Sequence, residues 1–176
     1  MGSQTVRDAI QAFLAPPNIP GLATVYRGLP VSLKGEDWPI GQDTGWGAGS
    51  YIQLNDMRET RVALGGEHGG MKKRVYECAL VVFFRWQYTD HGPYNQTDGW
   101  TTALDGLTDA ILERMRGDRT FGCDDLGPVW QGGEGDGDGS DDLRFVADGA
   151  QVDEDSGQVV VWAAVEFTVV EMLTAT

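Results

Sequence analysis

The chain has 176 residues, 41% of them apolar, and carries 27 acidic against 13 basic side chains, a formal net charge of −14. That length suits one domain, long enough to bury a core without disulfides or metals. A surface this acidic repels phosphates, which argues against nucleic-acid binding as the main role, although DNA could pass such a surface without sticking.

In chain order, the first predicted element is a helix from Ser3 to Ala15, where Val6, Ile10, Phe13 and Leu14 recur at helical spacing and Ser3 or Thr5 is placed to cap the start. Pro16-Pro17 stops it, and a turn at Asn18–Gly21 leads to a strand over Leu22–Arg27. Residues 28–49 read as a long loop rich in glycine and proline that carries Trp38 and Trp46, two side chains expected to pack on this domain or on a neighbour. Ser50–Leu54 and Thr60–Leu64 read as two short strands. The strongest strand runs over Lys72–Gln87, with Val75, Glu77 and Ala79 on one face and Tyr76, Cys78 and Leu80 on the other. Its run from Leu80 to Phe84 is apolar throughout, as for a strand covered on both faces.

A second helix follows from Gly99 to Arg116, with a stripe of Trp100, Ala103, Leu104, Leu107, Ile111 and Met115. Asp98 suits its start; Arg114, Arg116 and Gly117 suit its end. Residues 132–142 form a low-complexity acidic loop, Leu143–Val146 a short strand, and Gln158–Leu173 a long closing strand expected beside Lys72–Gln87. The plan is one α+β domain over residues 1–176, an antiparallel or mixed β-sheet with two main helices packed on one face. No apolar stretch approaches a membrane span, and no membrane partner is expected.

No constellation of residues forms a convincing enzyme site. Asp136-x-Asp138-x-Ser140 opens like a calcium loop, but the sixth and twelfth places hold Asp141 and Ala147 where glycine and glutamate are required. The glycines there lack the Gly-Lys of a phosphate loop. His68 and His91, the two histidines, have no metal-ligand spacing with each other or with Cys78 and Cys123. Neither histidine is spaced to activate Cys123 as a nucleophile, and no sequence feature pairs the two cysteines. No catalytic residue, cofactor or metal site is therefore assigned. Lys72-Lys73-Arg74, the basic cluster of the chain, reads equally as a solvated strand entry or as a contact to an acidic neighbouring subunit.

The order of elements carries a resemblance. A helix ends at Pro16-Pro17, a glycine-rich turn precedes Arg74-Val75-Tyr76-Glu77-Cys78-Ala79-Leu80-Val81-Val82, a helix spans Trp100–Arg116, and the chain closes on Val159-Val160-Val161-Trp162-Ala163-Ala164-Val165-Glu166-Phe167. Over most of its length the chain resembles the tail terminator proteins of long-tailed bacteriophages, the tail-completion or lambda U-type minor tail proteins. The likeness lies in size, element order and texture. It implies a structural virion protein without catalytic residues, made in the host cytoplasm and placed at the head-proximal end of the tail. There a hexameric ring caps the tail tube, ends its polymerisation and joins it to the head. The implied partners are further copies of the chain, the tail tube protein and the head-to-tail connector protein, with DNA passing through unbound. A connector or neck protein of the same particle is the alternative within that class, and a small calcium- or ligand-binding module is the alternative outside it. Within a ring, Trp38, Trp46, Lys72, Lys73 and Arg74 are the expected subunit contacts. Glu134, Asp136, Asp138, Asp141 and Asp142 are expected to line or fringe the lumen.

Overall fold

Successive side chains of a strand point to opposite faces, and along the closing strand of this chain buried and part-buried positions alternate from Gln158 to Glu171. The computed structural model describes residues 2–32, 38–42, 44–63, 70–87, 99–123, 128–131, 143–153 and 158–174. The elements are α1 (Ser3–Leu14), β1 (Leu22–Tyr26), β2 (Trp46–Ala63), β3 (Met71–Gln87), α2 (Gly99–Gly117), β4 (Val129–Gln131), β5 (Arg144–Asp153) and β6 (Gln158–Thr174). They make an α+β arrangement of two helices and a six-stranded mixed sheet.

The sheet order is β1-β2-β3-β6-β4, with β5 also on β6. β1 runs parallel to β2, and every other pairing is antiparallel. β3 and β6 pair along their whole lengths, Met71 opposite Thr174 at one end and Gln87 opposite Gln158 at the other. β5 and β4 share the far edge of β6, opposite Gln158–Glu166 and Thr168–Val170 respectively.

The register puts Tyr76, Cys78, Leu80, Phe84 and Trp86 of β3 directly opposite Val169, Phe167, Val165, Val161 and Val159 of β6. These side chains share one core cluster with Val6, Ile10, Phe13 and Leu14 of α1 and Ala103, Leu104, Leu107, Ile111 and Met115 of α2. The helical stripes predicted from spacing are buried, apart from Trp100, which is only partly buried, and α2 buries Gly99 and Thr108 as well. Phe121 follows α2 at positive φ (52°), a conformation costly for a bulky residue. The Asp118 carboxylate offsets that cost by accepting hydrogen bonds from the backbone N–H groups of Thr120 (2.8 Å) and Gly122 (3.1 Å). The Phe121 ring packs edge-on to Phe13 and near Phe167.

The polar side of α1 is stitched to β1 and β2. Arg7 donates to the Arg27 and Ile52 carbonyls (2.6 and 3.0 Å), and Gln11 donates to the Val25 carbonyl (2.8 Å). Arg7 thus satisfies backbone acceptors where the parallel β1–β2 ladder gives out.

Several boundaries depart from expectation. The two short strands expected at 50–54 and 60–64 are one strand of 18 residues, β2, because bulges at Leu54/Asp56 and Arg61/Ala63 absorb the break in alternation. The short strand expected over Leu143–Val146 extends through Asp153 as β5, past a bulge between Ala147 and Gly149. β4 is a short strand that the sequence reading did not anticipate. The loop expected over 28–49 ends early, since Trp46–Gly49 already belongs to β2. Gly2 stands at the N-cap of α1 where Ser3 or Thr5 was expected, and its N–H donates to the Thr5 hydroxyl at 3.5 Å. Asp98, His68, His91 and the acidic loop 132–142 lie outside the described residues.

Trp46 rests on Gly21, which has φ +82°, and a Cβ at that glycine would stand 1.9 Å from the indole. Gly21→Ala therefore displaces Trp46 and strains the turn. We expect a loss of about 1–3 kcal/mol, read as a lower urea midpoint by tryptophan fluorescence.

Candidate functional site

Chemistry-bearing side chains gather on the distal half of the β2–β3 hairpin, where β2 runs on beyond its pairing with β1. On one face, Glu59 accepts from Lys72 Nζ at 2.7 Å and from Arg74 Nε at 2.7 Å. These cations, Lys72 first, hold the Glu59 carboxyl below its ordinary 4.5. On the other face Arg58 bridges Asp56 (3.1 Å) and Glu77 (3.0 Å). Exposed Met57 (51%) lies among these charges, and exposed Val62 (55%) follows them toward the end of β2.

Next to Arg74 the charge network enters the core. Glu171 of β6 stands directly opposite Arg74 in the ladder and is completely buried. Its Oε2 accepts from the hydroxyl of the equally buried Tyr76 at 3.1 Å, while Oε1 has no hydrogen-bond partner among the described residues. Burial pushes the Tyr76 phenol above its ordinary value, so it stays a neutral donor, although a hydrogen bond with Arg74 opposes that shift. The spacing of β6 carried the signal for Glu171. Val159, Val161, Ala163, Val165, Phe167 and Val169 all face inward, and the next position on that face is a glutamate.

The expected contact residues divide into two groups. Lys72, Lys73 and Arg74 sit together on this hairpin, with Lys72 and Arg74 tied to Glu59 of their own chain. Trp38 and Trp46 are elsewhere and pack within the chain. Trp38 is 7% exposed, against Phe83 (5.8 Å between centroids) and beneath the Arg85 guanidinium. Trp46 packs on Phe84 (5.4 Å) beside the main core. The lumen candidates Glu134, Asp136, Asp138, Asp141 and Asp142 lie outside the described residues.

Among the described residues no group of three or more His, Cys, Asp or Glu side chains is placed to hold a metal ion. Among the same residues no helix is long and apolar enough to cross a membrane. Cys78 and Cys123 are both free thiols, and burial pushes the Cys78 thiol up to about 12, which removes it as a nucleophile at neutral pH. What the hairpin offers is a surface of paired charges and exposed apolar side chains, on a strand that no other described strand joins on its outer side beyond Tyr51. Neither a family model nor a curated protein sequence matches the chain.

Two outcomes follow from the network. Tyr76→Phe leaves Glu171 buried with neither oxygen satisfied by the phenol, and should cost about 1–3 kcal/mol in a chemical denaturation curve. Glu59 has a depressed folded-state value, so its contribution to stability is present above pH 4.5 and is lost as the pH falls through that folded value. Glu59→Gln should flatten this acid limb in a series of thermal melts, and added salt should reduce the difference.

Proposed function

We propose that this chain is a structural assembly protein of a long-tailed phage particle, the tail terminator. Its ring, hexameric in this reading, caps the tail tube, ends its growth and joins it to the head. The observation that carries the proposal is the element order: a short first helix, a 17-residue central strand, a 19-residue helix, and a 17-residue closing strand paired with the central one throughout. That is the order on which the resemblance to tail terminators rests. We also place both helices on one face of the sheet, a placement supported by the single core cluster their buried side chains share with alternate positions of β3 and β6.

The surface chemistry fits assembly better than catalysis. The basic hairpin suits contact with an acidic neighbour, and the chain's net charge of −14 supplies such neighbours in every further copy. Trp38 and Trp46 use their apolar surface inside the chain, which leaves Lys72, Lys73 and Arg74 as the stronger contact candidates. Acidic positions 134, 136, 138, 141 and 142, if turned to the lumen, would repel the phosphates of passing DNA. The tube protein and the connector are the partners in this reading, and the head-proximal end of the tail is the location.

The test is electron microscopy of tubes assembled from the cognate tube protein, with and without this chain. A ring at one tube end together with arrested growth is the expected result. Tubes that keep growing without added density, while the chain binds heads, would favour the connector. Binding to neither tube nor head would remove the chain from the particle.

A further inference from the structure

The charges of the distal hairpin divide by face. Directly opposite residues of an antiparallel ladder share a face, and the face alternates along each strand. Arg61 stands opposite Lys72, Glu59 opposite Arg74 and Met57 opposite Tyr76, so these six side chains lie on the side of the sheet that carries the core. Lys73 lies on the other side, as does Arg58 with its partners Asp56 and Glu77. The accessible charge of the described hairpin on its core side is therefore Arg61, Lys72 and Arg74 against Glu59, since Glu171 on the same side is completely buried. Glu59 already holds Lys72 and Arg74, whereas the exposed Arg61 has no ion pair among the described residues. Like charges directly opposite each other, here Arg61 and Lys72, cost stability unless an anion lies across them.

A matching surface runs along α2. Its buried stripe from Ala103 to Met115 turns Asp105, Asp109 and Glu113 outward as an exposed ridge, with Arg116 following on the same side. None of these three carboxylates has an ion pair among the described residues. Their four-residue steps rise about 6 Å each, commensurate with the roughly 5–7 Å between cations across and along the hairpin ladder. Gly106 sits beside this ridge with nothing within 4 Å of where a Cβ would stand. A glycine there weakens the helix by about 1 kcal/mol relative to alanine, and it leaves the surface bare for an approaching side chain such as Met57.

We propose that these two surfaces meet between copies of this chain: the core-side face of one subunit's β2–β3 hairpin, led by Arg61, docks on the Asp105–Asp109–Glu113 ridge of the next subunit's α2. Every copy carries a net charge of −14, so association needs local pairs of opposite sign to overcome the general repulsion. Hairpin on hairpin or ridge on ridge would juxtapose like charges, which selects the unlike pair. A contact between unlike surfaces leaves each copy with one of each kind to offer, so it repeats around a ring or along a filament. The proposal deepens the ring reading and rests on it only in requiring self-association.

Charge swapping in the full chain tests it, with self-association read by sedimentation velocity over a concentration series, alone and with tail tubes. Arg61→Glu and Asp109→Lys, both at exposed positions, should each weaken association about tenfold, as should raised salt. The two changes in one chain exchange the signs across the contact and should restore it. Thr60→Glu, next to Arg61 but on the opposite face, adds the same negative side chain and should leave association unchanged. Thermal melts of each variant verify that the fold is intact. Oligomers that neither single change weakens would overturn this contact and leave the ring intact. Weakening by both changes without rescue in the double variant would overturn the pairing of these two surfaces. A chain that stays monomeric alone and with tubes would overturn the contact and the ring together.

Discussion

The pairing of β3 with β6 is the constraint on which the rest of the structure depends. Seventeen residues of one strand meet seventeen of the other without a register shift. The partners are far apart in sequence, so the entropy of closing a long loop must be offset by what the pairing buries. The offset comes from Tyr76–Trp86 on one strand and Val159–Val169 on the other, alternate positions that supply the middle of the core. A slip of one residue would turn this entire set outward and expose it. The buried Glu171 reinforces the register, because in any other alignment it would lose the hydroxyl of Tyr76.

Around that pair, the remaining elements are placed by what β3 and β6 leave uncovered. α1 and α2 bring their apolar stripes to the same cluster, and the Arg114 guanidinium lies 4.1 Å from the centroid of the Phe13 ring, joining the ends of the two helices. On the opposite side of β3, Phe83 stacks on Tyr51 and packs against Trp38. Trp38 comes close because Gly49 and Gly47 have no side chains, and the Pro39 carbonyl would stand 2.2 Å from a Cβ at Gly47. The charged hairpin is what remains when β1 and α1 stop short of the end of β2.

Much of this was legible in the residues. Both helices announced themselves by period, and β3 and β6 by their length of alternating or continuous apolar side chains; their adjacency also followed from those patterns. β2 was less legible. Asn55-Asp56-Met57-Arg58-Glu59 has the polarity of a turn, and only a partner such as Glu77 for Arg58 makes it a strand. A bulge beside Leu54 then shifts the alternation that a reader of the sequence would follow. Trp46 was hidden by its glycine neighbours, which signal a loop until the close approach of Pro39 explains them. The basic cluster at Lys72–Arg74 was visible, but its tie to Glu59 was not, because that pairing depends on the hairpin register. Glu171 had a signal in the inward face of β6 and was still read as part of a plain strand.

The position of β6 also has a consequence for the timing of biosynthesis. Every other described element leaves the ribosome before it. Until then β3 can pair with β2 but keeps its second edge bare, and β4 and β5 have no strand to join. β2, β4 and β5 thus become parts of one sheet only when the last long strand has been delivered. A nascent chain on a polysome, surrounded by siblings at high local concentration, presents β3 with Tyr76, Cys78 and Leu80 still lacking the β6 residues they face. A truncated product lacking β6 would leave β4 and β5 with no strand to join and the core without Val159, Val161, Val165, Phe167 and Val169.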